Sequence, residues 1–182
     1  MTTSSPRLRP APATRRATPA DAHAIAEISV AGWRAAYRGL MPDAYLDSIS
    51  VFTREIAWQA RLEGDGADLE PAWVAIVDGE VAGYVSSGPP RDDDIPHSAA
   101  EIYAIYVHPA KWRSGAGRAL LDVATAEWRA RGTDALVLWV LEGNARARAF
   151  YEAMGWAADD TRKEFDMGGF ATVEVRYRAA LR

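Results

Sequence analysis

The sequence predicts a single α/β domain built on a mixed, largely antiparallel sheet with one parallel strand pair. Helical and strand-like patterns alternate along its 182 residues, a length typical of one domain. Residues 101 to 141 read as strand, helix, strand, which implies parallel pairing with the helix crossing over the sheet. Residues 72 to 88 read as two strands joined by a tight turn, which predicts an antiparallel hairpin.

The composition is that of an ordinary soluble globular protein, with 49% hydrophobic and 25% charged residues. A formal charge of -4 lacks the basic excess of nucleic-acid-binding proteins, so no nucleic-acid partner is expected.

The absence of cysteine excludes disulfides, thiolate metal sites and a covalent acyl-cysteine intermediate. The longest apolar run, Ala135 to Leu141, is far below the ~18 residues of a membrane span. With no signal-peptide-like apolar stretch near the N-terminus, a cytoplasmic location is expected.

The N-terminal third is predicted to be mainly helical. Residues 1–11, rich in Ser, Thr, Pro and Arg, are expected to form a disordered tail, which leaves residues 12–182 as the domain. The segment ATRRAT is a candidate first strand. Thr18, Pro19 and Asp21 then form a helix-start signal, with a hydroxyl cap, an early proline and a carboxylate three residues after the cap.

The helix after this signal places Ile25, Ile28 and Trp33 near one face. DAYLDSIS and VFTREIAWQARLEG are predicted to form two further helical segments. The apolar runs AWVAIV and EVAGYVSS predict strands, and Asp78-Gly79 between them can adopt the positive φ angles of a tight hairpin turn.

The second half begins with the strand EIYAIYV and continues with a helix from Gly117 to about Arg131, which Gly132 ends. DALVLWVL is a continuous apolar run, as expected of a strand covered on both faces. NARARAFYEAM predicts a helix that begins at its cap Asn144 and ends at Gly155. TVEVRYRAAL closes the chain as an alternating strand.

Gly115 and Gly117 lie where a strand feeds a helix, so several N–H groups there have no helical acceptor. Such a helix start can bind a phosphate or diphosphate, and Arg113 and Arg118 would add positive charge. Three phosphate or nucleophile motifs do not fit. No Lys follows the glycines as in a P-loop, Leu120 replaces the last glycine of a dinucleotide-binding motif, and a nucleophile elbow would need glycine at position 112. Ser114 is therefore interpreted as a turn residue.

The stretch VHPAKWRSGAGRALL resembles the acyl-CoA-binding segment of the GNAT superfamily of N-acetyltransferases, whose pattern is V-x-P-x-x-[QR]-x-x-G-x-[GA]. Trp112 departs from the pattern at the Gln or Arg position but leaves the spacing intact. WVLEGNARARAFYEAMGW resembles the second signature of the family, and the resemblance covers roughly residues 14 to 180. It implies a GNAT-like fold whose sheet opens at the parallel pair, where acetyl-CoA inserts.

Asn144 and Tyr151 are seven residues apart, close to two helical turns, and so share a helix face. The resemblance implies that Asn144 contacts the pantetheine arm and that Tyr151 protonates the departing thiolate. A phenol, with a pKa of about 10 against ~8.5 for a thiol, stays protonated at neutral pH. The alternative is a simple N-cap and a core tyrosine. The remaining residues expected to bind the coenzyme are Ile105, Tyr106, Val107, Arg113, Ser114, Gly115, Ala116, Gly117 and Arg118, with backbone N–H groups at 105 to 107 meeting the oxyanion.

A base must remove a proton from the attacking amine, and Glu101 is the leading candidate, directly or through water. Glu174 is the competitor, and a solvated strand-end carboxylate is the alternative for Glu101. In the early helices, where this family builds its acceptor pocket, Trp33 and Tyr37 are candidate substrate-binding residues. Tyr45 and the run Asp92, Asp93 and Asp94 could also receive a cationic amine, although core aromatics and a solvated loop are the more ordinary interpretations.

The sequence thus predicts an N-acetyltransferase that moves an acetyl group from acetyl-CoA to a primary amine of a small molecule or peptide. Without cysteine, direct attack in a ternary complex is favoured over a covalent carrier. The alternatives are an acyl-CoA-binding sensor or interaction module on the same fold and an unrelated phosphate-ligand-binding protein. The isolated His23, His97 and His108 lack metal-ligand spacing, so no metal is expected, and a homodimer remains open.

Overall fold

The computed structural model describes residues 11–64, 66, 70–166 and 169–181. The predicted tail, residues 1–11, lies outside the described residues except for Ala11. None of the helices in the described ranges is both long and apolar enough to cross a membrane.

Five helices and seven strands make up the described fold. The helices are α1 (Ala22–Tyr37), α2 (Asp43–Ser48), α3 (Val51–Glu63), α4 (Ala116–Ala130) and α5 (Ala145–Ala153), with short 3-10 turns at Pro19–Asp21 and Pro109–Lys111. The strands are β1 (Ala13–Arg16), β2 (Ala72–Val77), β3 (Glu80–Gly88), β4 (Ala99–Val107), β5 (Ala135–Leu141), β6 (Ala157–Asp166) and β7 (Ala171–Ala180). They form one sheet in the order β1-β2-β3-β4-β5-β7-β6, which confirms the predicted fold class.

The central feature of the sheet is the parallel pair β4–β5. Pairing covers only Ala99–Ile102 against Ala135–Leu138. Beyond these residues β4 stays paired with β3 as far as Val107, and β5 stays paired with β7 as far as Leu141. The two strands therefore part, and the sheet opens into a V at the carboxyl ends of β4 and β5.

A β-bulge marks the point where the strands part. On β3, Ser87 pairs with Ile102 and Ser86 pairs with Ala104, so Tyr103 is the extra residue on β4. A bulge bends its strand and increases the local twist. It therefore helps to turn the part of β4 after Tyr103 away from β5.

The two faces of the sheet carry separate cores. Leu120, Leu121 and Trp128 of α4 are buried on one face, as the helical pattern predicts. Ile25 and Ile28 of α1 are buried on the other. α1 lies so close to β4 that a Cβ atom at position 32 would stand 2.7 Å from the Tyr106 ring, and only glycine fits there without a shift.

The local signals predicted most elements to within two residues. The Asp78-Gly79 turn has φ angles of 55° and 84°, as the hairpin requires. Thr18 and Asp21 form the expected capping box, although the first turn is 3-10 and α1 begins at Ala22. Strand β6 was not predicted. Its sequence, AADDTRKEFD, is mostly polar because it is an edge strand with β7 as its one neighbour in the sheet.

Candidate functional site

The glycine turn presents free N–H groups at the start of α4. Its backbone is left-handed at Arg113 (φ 64°) and at Gly115 (φ 90°). Ser114 Oγ accepts the Ala116 N–H at 3.3 Å, which agrees with its interpretation as a turn residue. The N–H groups of Gly115, Gly117 and Arg118 have no acceptor within the described part of the chain. Together with the positive end of the helix dipole, they form the predicted anion cradle.

A cleft of about 400 Å³ lies in the V between β4 and β5 and extends from this cradle to α1. It brings together most of the residues predicted to form the site. Those that line it are Tyr37, Ile105, Tyr106, Val107, Arg113, Gly115, Ala116, Gly117, Arg118, Asn144, Tyr151 and Glu174. Ser114, Trp33 and Glu101 are not among its lining residues.

The free edge of β4 directs backbone groups into the cleft. The His108 N–H donates to the Ala82 carbonyl at 2.8 Å, on the side of β3. Because successive N–H groups alternate along a strand, Ile105 and Val107 direct theirs to the opposite side, where β5 has already separated. They are two of the three N–H groups, at 105 to 107, that the resemblance implies for the oxyanion, and the third, that of Tyr106, is directed toward β3.

Trp112, which departs from the family pattern, occupies a defined place beside the cradle. Its Nε1 donates to the Val107 carbonyl at 2.9 Å and so ties the turn to the end of β4. The Arg146 guanidinium lies 3.2 Å from the centre of the Trp112 ring, a close cation–π contact. Both side chains line the cleft, and sequence reasoning did not identify Arg146.

Helix α5 supplies Asn144 and Tyr151 from the same face, as their spacing predicts. Asn144 Oδ1 accepts the Ala147 N–H at 3.1 Å, so the residue caps the helix and also lines the cleft. Tyr151 is 7% exposed and packs near the Trp156 and Tyr177 rings. Burial, and to a lesser degree Tyr37, raises the pKa of its phenol. The hydroxyl therefore stays protonated at neutral pH, as a proton donor must.

Glu101 is held by the chain itself. It is 1% exposed, and Oε1 accepts from Arg91 Nε at 3.1 Å and also from Arg91 Nη2. Oε2 accepts the Arg91 backbone N–H at 3.0 Å. Both carboxylate oxygens are engaged, and the residue does not line the cleft, so this geometry does not favour Glu101 as a free base.

Glu174 on β7 has the opposite character, since its half-buried side chain lines the cleft. Burial raises the pKa of its carboxyl, and the nearby Lys163 and Arg91 partly oppose that rise. A carboxyl with a raised pKa is a better proton acceptor near neutral pH than an ordinary one. Glu174 is also among the charges that raise the pKa of Tyr37, after burial as the main cause.

The early-helix aromatics divide between two places. Tyr37 reaches the cleft, and its hydroxyl lies 3.1 Å from that of Tyr106. Trp33 meets Tyr37 edge to face at 5.1 Å but lines a second cavity instead. Tyr45 packs against the small cluster around Met41, as a core aromatic would.

Two carboxylates of the 92–94 run have partners in their own chain. Asp92 accepts from Trp139 Nε1 at 2.6 Å, and Asp94 accepts two hydrogen bonds from Arg176 at 2.8 and 2.9 Å. These contacts fasten the loop to the sheet and do not support the expectation that the run receives a cationic amine. Among the residues with described positions, no three His, Asp or Glu side chains come together to hold a metal ion.

The second cavity, called here the arginine cavity, also measures about 400 Å³. It is lined on α3 by Arg54, Trp58 and Arg61. The spacing of seven residues between the two arginines, two helical turns, was the available sequence signal, and it was missed. Tyr103, Ala104 and Tyr106 of β4 line both this cavity and the cleft.

Comparisons with known proteins agree on one family. The acetyltransferase (GNAT) family matches residues 23–156 of the chain. The uncharacterized N-acetyltransferase YuaI of Bacillus subtilis (strain 168) is 34% identical over 164 residues, which are 88% of this chain and 88% of that protein.

Two solved structures have the same fold. The PaiA N-acetyltransferase from Thermoplasma acidophilum, in complex with coenzyme A, has a TM-score of 0.75 at 18% identity over 93% of this chain and 99% of its own. YncA from Salmonella typhimurium, solved with its cofactor acetyl-CoA, has a TM-score of 0.70 at 25% identity over 94% of each chain. The motifs, the opened sheet and these relatives lead to one conclusion: the chain belongs to the acetyltransferase (GNAT) family and is an acyltransferase.

Proposed function

We propose that the protein moves an acetyl group from acetyl-CoA to a primary amine of a small molecule or peptide by direct attack, with both substrates bound together. One observation carries the proposal. The cleft between β4 and β5 is lined by Tyr151, by residues on the open edge of β4 and by the α4 turn, whose Gly115, Gly117 and Arg118 N–H groups have no acceptor among the described residues. The family membership and the acetyl-CoA bound in YncA support the same coenzyme here.

The cradle residues fit a diphosphate. The N–H groups of Gly115, Gly117 and Arg118, which have no acceptor where the chain is described, can donate to its oxygens, and the Arg113 and Arg118 side chains beside them add positive charge. Asn144, at the other side of the cleft, can hydrogen-bond the amide-rich arm of the coenzyme with the part of its side chain that does not cap α5.

Acetyl-CoA, when bound, supplies a thioester. The Ile105 and Val107 N–H groups on the open edge of β4 can bind the carbonyl oxygen as it gains negative charge. Loss of one such donor typically costs ~100- to 1,000-fold in rate. Tyr151 gives its proton to the sulfur as the carbon–sulfur bond breaks, which the raised pKa of its phenol allows at neutral pH.

The amine must lose a proton as it attacks. In this proposal Glu174 accepts that proton, directly or through water, because its carboxylate lines the cleft and has a raised pKa. Glu101 instead positions the β3–β4 loop through Arg91, whose side chain and backbone N–H hold both of its oxygens. The lack of cysteine leaves no thiol to carry the acetyl group between the two substrates.

The experiment mixes the protein with acetyl-CoA and a panel of amino acids, polyamines, aminoglycosides and peptides, and measures both thiol release and acetylated product. The proposal predicts equal amounts of thiol and acetylated amine with at least one class. Tight binding of acetyl-CoA without transfer to any amine would contradict it and would indicate an acyl-CoA-binding module. Competition by CoA, but not by ATP, would set aside an unrelated phosphate-binding role.

A further inference from the structure

The arginine cavity adjoins the cleft across strand β4. Tyr103, Ala104 and Tyr106 line both spaces, and these three residues follow the point where β4 leaves β5. The cavity lies on the face of β4 that α1 and α3 cover, opposite the face that carries α4. A molecule held there therefore lies beside the part of the cleft that these three residues line, without occupying the coenzyme cradle.

Arg61 contributes a guanidinium with unused donors. Its Nε and Nη2 atoms are buried and have no hydrogen-bond acceptor among the described residues. Nη2 lies 3.2 Å from a carboxylate oxygen of Glu70, within range of an ion pair but not aligned as a hydrogen bond. The group stacks over the Trp58 and Tyr103 rings at 5.3 and 5.6 Å. Buried donors without acceptors are costly, so a carboxylate that accepts from the Arg61 guanidinium after a small shift of that side chain gains affinity.

Arg54 adds a second cation on the same wall of the cavity. Its Nη1 donates to Ser29 Oγ at 3.0 Å, and its guanidinium lies 4.8 Å from the centre of the Trp33 ring. In the described part of the chain no carboxylate lies within ion-pair distance of it, and no Asp or Glu lines the cavity. The cavity therefore combines two guanidinium groups with aromatic walls.

We infer that the arginine cavity binds a carboxylate of the acceptor, so that the acceptor is a small amine of the amino-acid class whose amine reaches past β4 into the cleft. The inference rests on the proposed function, since it names the substrate of that same site. A planar guanidinium matches a carboxylate with two parallel hydrogen bonds, and the aromatic rings can pack against the rest of a small molecule. Polycationic amines are disfavoured there by like charge.

The test compares each L-amino acid with its own carboxamide as acetyl acceptor, with polyamines as a third arm. A carboxamide keeps the shape and the amine but removes the negative charge. The inference predicts that at least one amino acid is acetylated with a kcat/KM ~10- to 100-fold above that of its carboxamide, because hydrogen bonds to charged groups contribute about 1.5–3 kcal/mol. Polyamines should be poor acceptors.

Variants identify the residues responsible. Arg54→Gln and Arg61→Gln should each lower kcat/KM for the preferred amino acid by ~10-fold or more, with the KM for acetyl-CoA and the rate with the carboxamide nearly unchanged. Arg54→Lys and Arg61→Lys keep the charge and should retain more of the preference. The matched control is Arg129→Gln on α4, whose guanidinium donates to the Leu181 carbonyl and lines neither cavity.

The outcomes separate the two claims. Acetylation of amines without any preference for the carboxylate, or a preference that survives both Gln variants, would overturn the inference and leave the proposed function standing. If no amine is acetylated, the proposed function fails, and calorimetry with the same amino acids on CoA-saturated protein decides the inference. Binding that the Gln variants abolish would support it, and equal or no binding of the amino acid and its carboxamide would overturn it.

Discussion

At the residue scale, the ring and the hydroxyl of Tyr151 have different roles. Tyr151 packs near Trp156 and Tyr177, so its ring belongs to the core, and its hydroxyl is the group proposed to donate the proton. This separation of ring and hydroxyl makes a conservative substitution informative, because phenylalanine preserves the packing and removes the proton donor.

Tyr151→Phe is therefore expected to lower kcat by ~100-fold or more, the typical contribution of a general acid, with little change in the KM for acetyl-CoA. Steady-state kinetics with a saturating acceptor measures both constants. Tyr177→Phe is the matched control. It removes a buried hydroxyl that bonds Glu152 and Arg148 outside the cleft, and it should leave kcat nearly unchanged. Equal kcat values for Tyr151→Phe and the unmodified protein would contradict the proton-donor role.

The half-buried Glu174 and the buried Glu101 should respond oppositely when each is replaced by glutamine. Burial raises the pKa of the Glu174 carboxyl above its ordinary value of 4.5, so its ionised form costs stability at every pH above the raised pKa. Below 4.5 the group is protonated in both the folded and unfolded chain, and that cost is absent. Glu101 differs, because Arg91 hydrogen-bonds both of its carboxylate oxygens.

Glu174→Gln should thus unfold at a higher denaturant concentration than the unmodified protein at pH 8, with the difference vanishing as the pH falls below about 4. The same variant should lose ~100-fold or more in kcat/KM at pH 7 and lack the acid limb of the pH–rate profile. Glu101→Gln should be less stable by about 2 kcal/mol, since hydrogen bonds between charged groups are weakened. A stabilised, fully active Glu174→Gln protein would remove Glu174 as the base.

At the scale of single elements, α4 offers a comparison between its two ends. Gly115 before the helix and Gly132 after it both have left-handed backbone, with φ angles of 90° and 80°. At neither position would a Cβ atom meet another atom closer than 3.5 Å, so alanine is tolerated sterically and strained only by its backbone. Such strain costs roughly 1–2 kcal/mol at either end.

The expected result is that Gly115→Ala and Gly132→Ala lose similar stability but differ in coenzyme binding. Gly115→Ala should raise the KM for acetyl-CoA about tenfold, the equivalent of one weakened charge-assisted hydrogen bond, because relief of the strain moves the cradle N–H groups. Gly132→Ala should leave that KM unchanged. The same KM in both variants would show that the turn does not position the coenzyme.

Some of the elements could be predicted from the sequence alone and others could not. Hairpin β2–β3, helix α4 and helix α5 were predictable because their signals are local, such as Asp78-Gly79 or the Asn144 cap. Strand β6 was not, since a polar edge strand lacks the apolar alternation of an interior one. The Tyr103 bulge gives no separate sequence signal, because it depends on the register with β3.

The candidate site likewise contains residues that the sequence predicts and residues that it does not. The cradle, Asn144 and Tyr151 follow from short motifs, and the structure places them together around the cleft. The partnership of Glu101 with Arg91, and the approach of Arg54 to Trp33, join segments that no pattern links. Tertiary packing therefore decides which of several plausible carboxylates and cations remains available for a ligand.

At the scale of the whole molecule, the separation of β4 and β5 creates the candidate site. Antiparallel pairs hold β4 and β5 from both sides as far as Val107 and Leu141, while the parallel pairing between them ends at Ile102 and Leu138. The remaining halves of both strands keep their outer partners, so the V is built into a seven-stranded sheet and is not a break in it. The cleft exists because of this arrangement, and the arginine cavity lies directly behind one of its walls.

The central claim is that this V holds the coenzyme, with its diphosphate at the start of α4 and its sulfur near the Tyr151 hydroxyl. The most direct measurement is a crystal structure of the protein with coenzyme A. The account predicts diphosphate oxygens within hydrogen-bond distance of the Gly115, Gly117 and Arg118 N–H groups, and the sulfur within reach of the Tyr151 hydroxyl. A coenzyme bound outside the V, or a Tyr151 hydroxyl directed away from the sulfur, would contradict it.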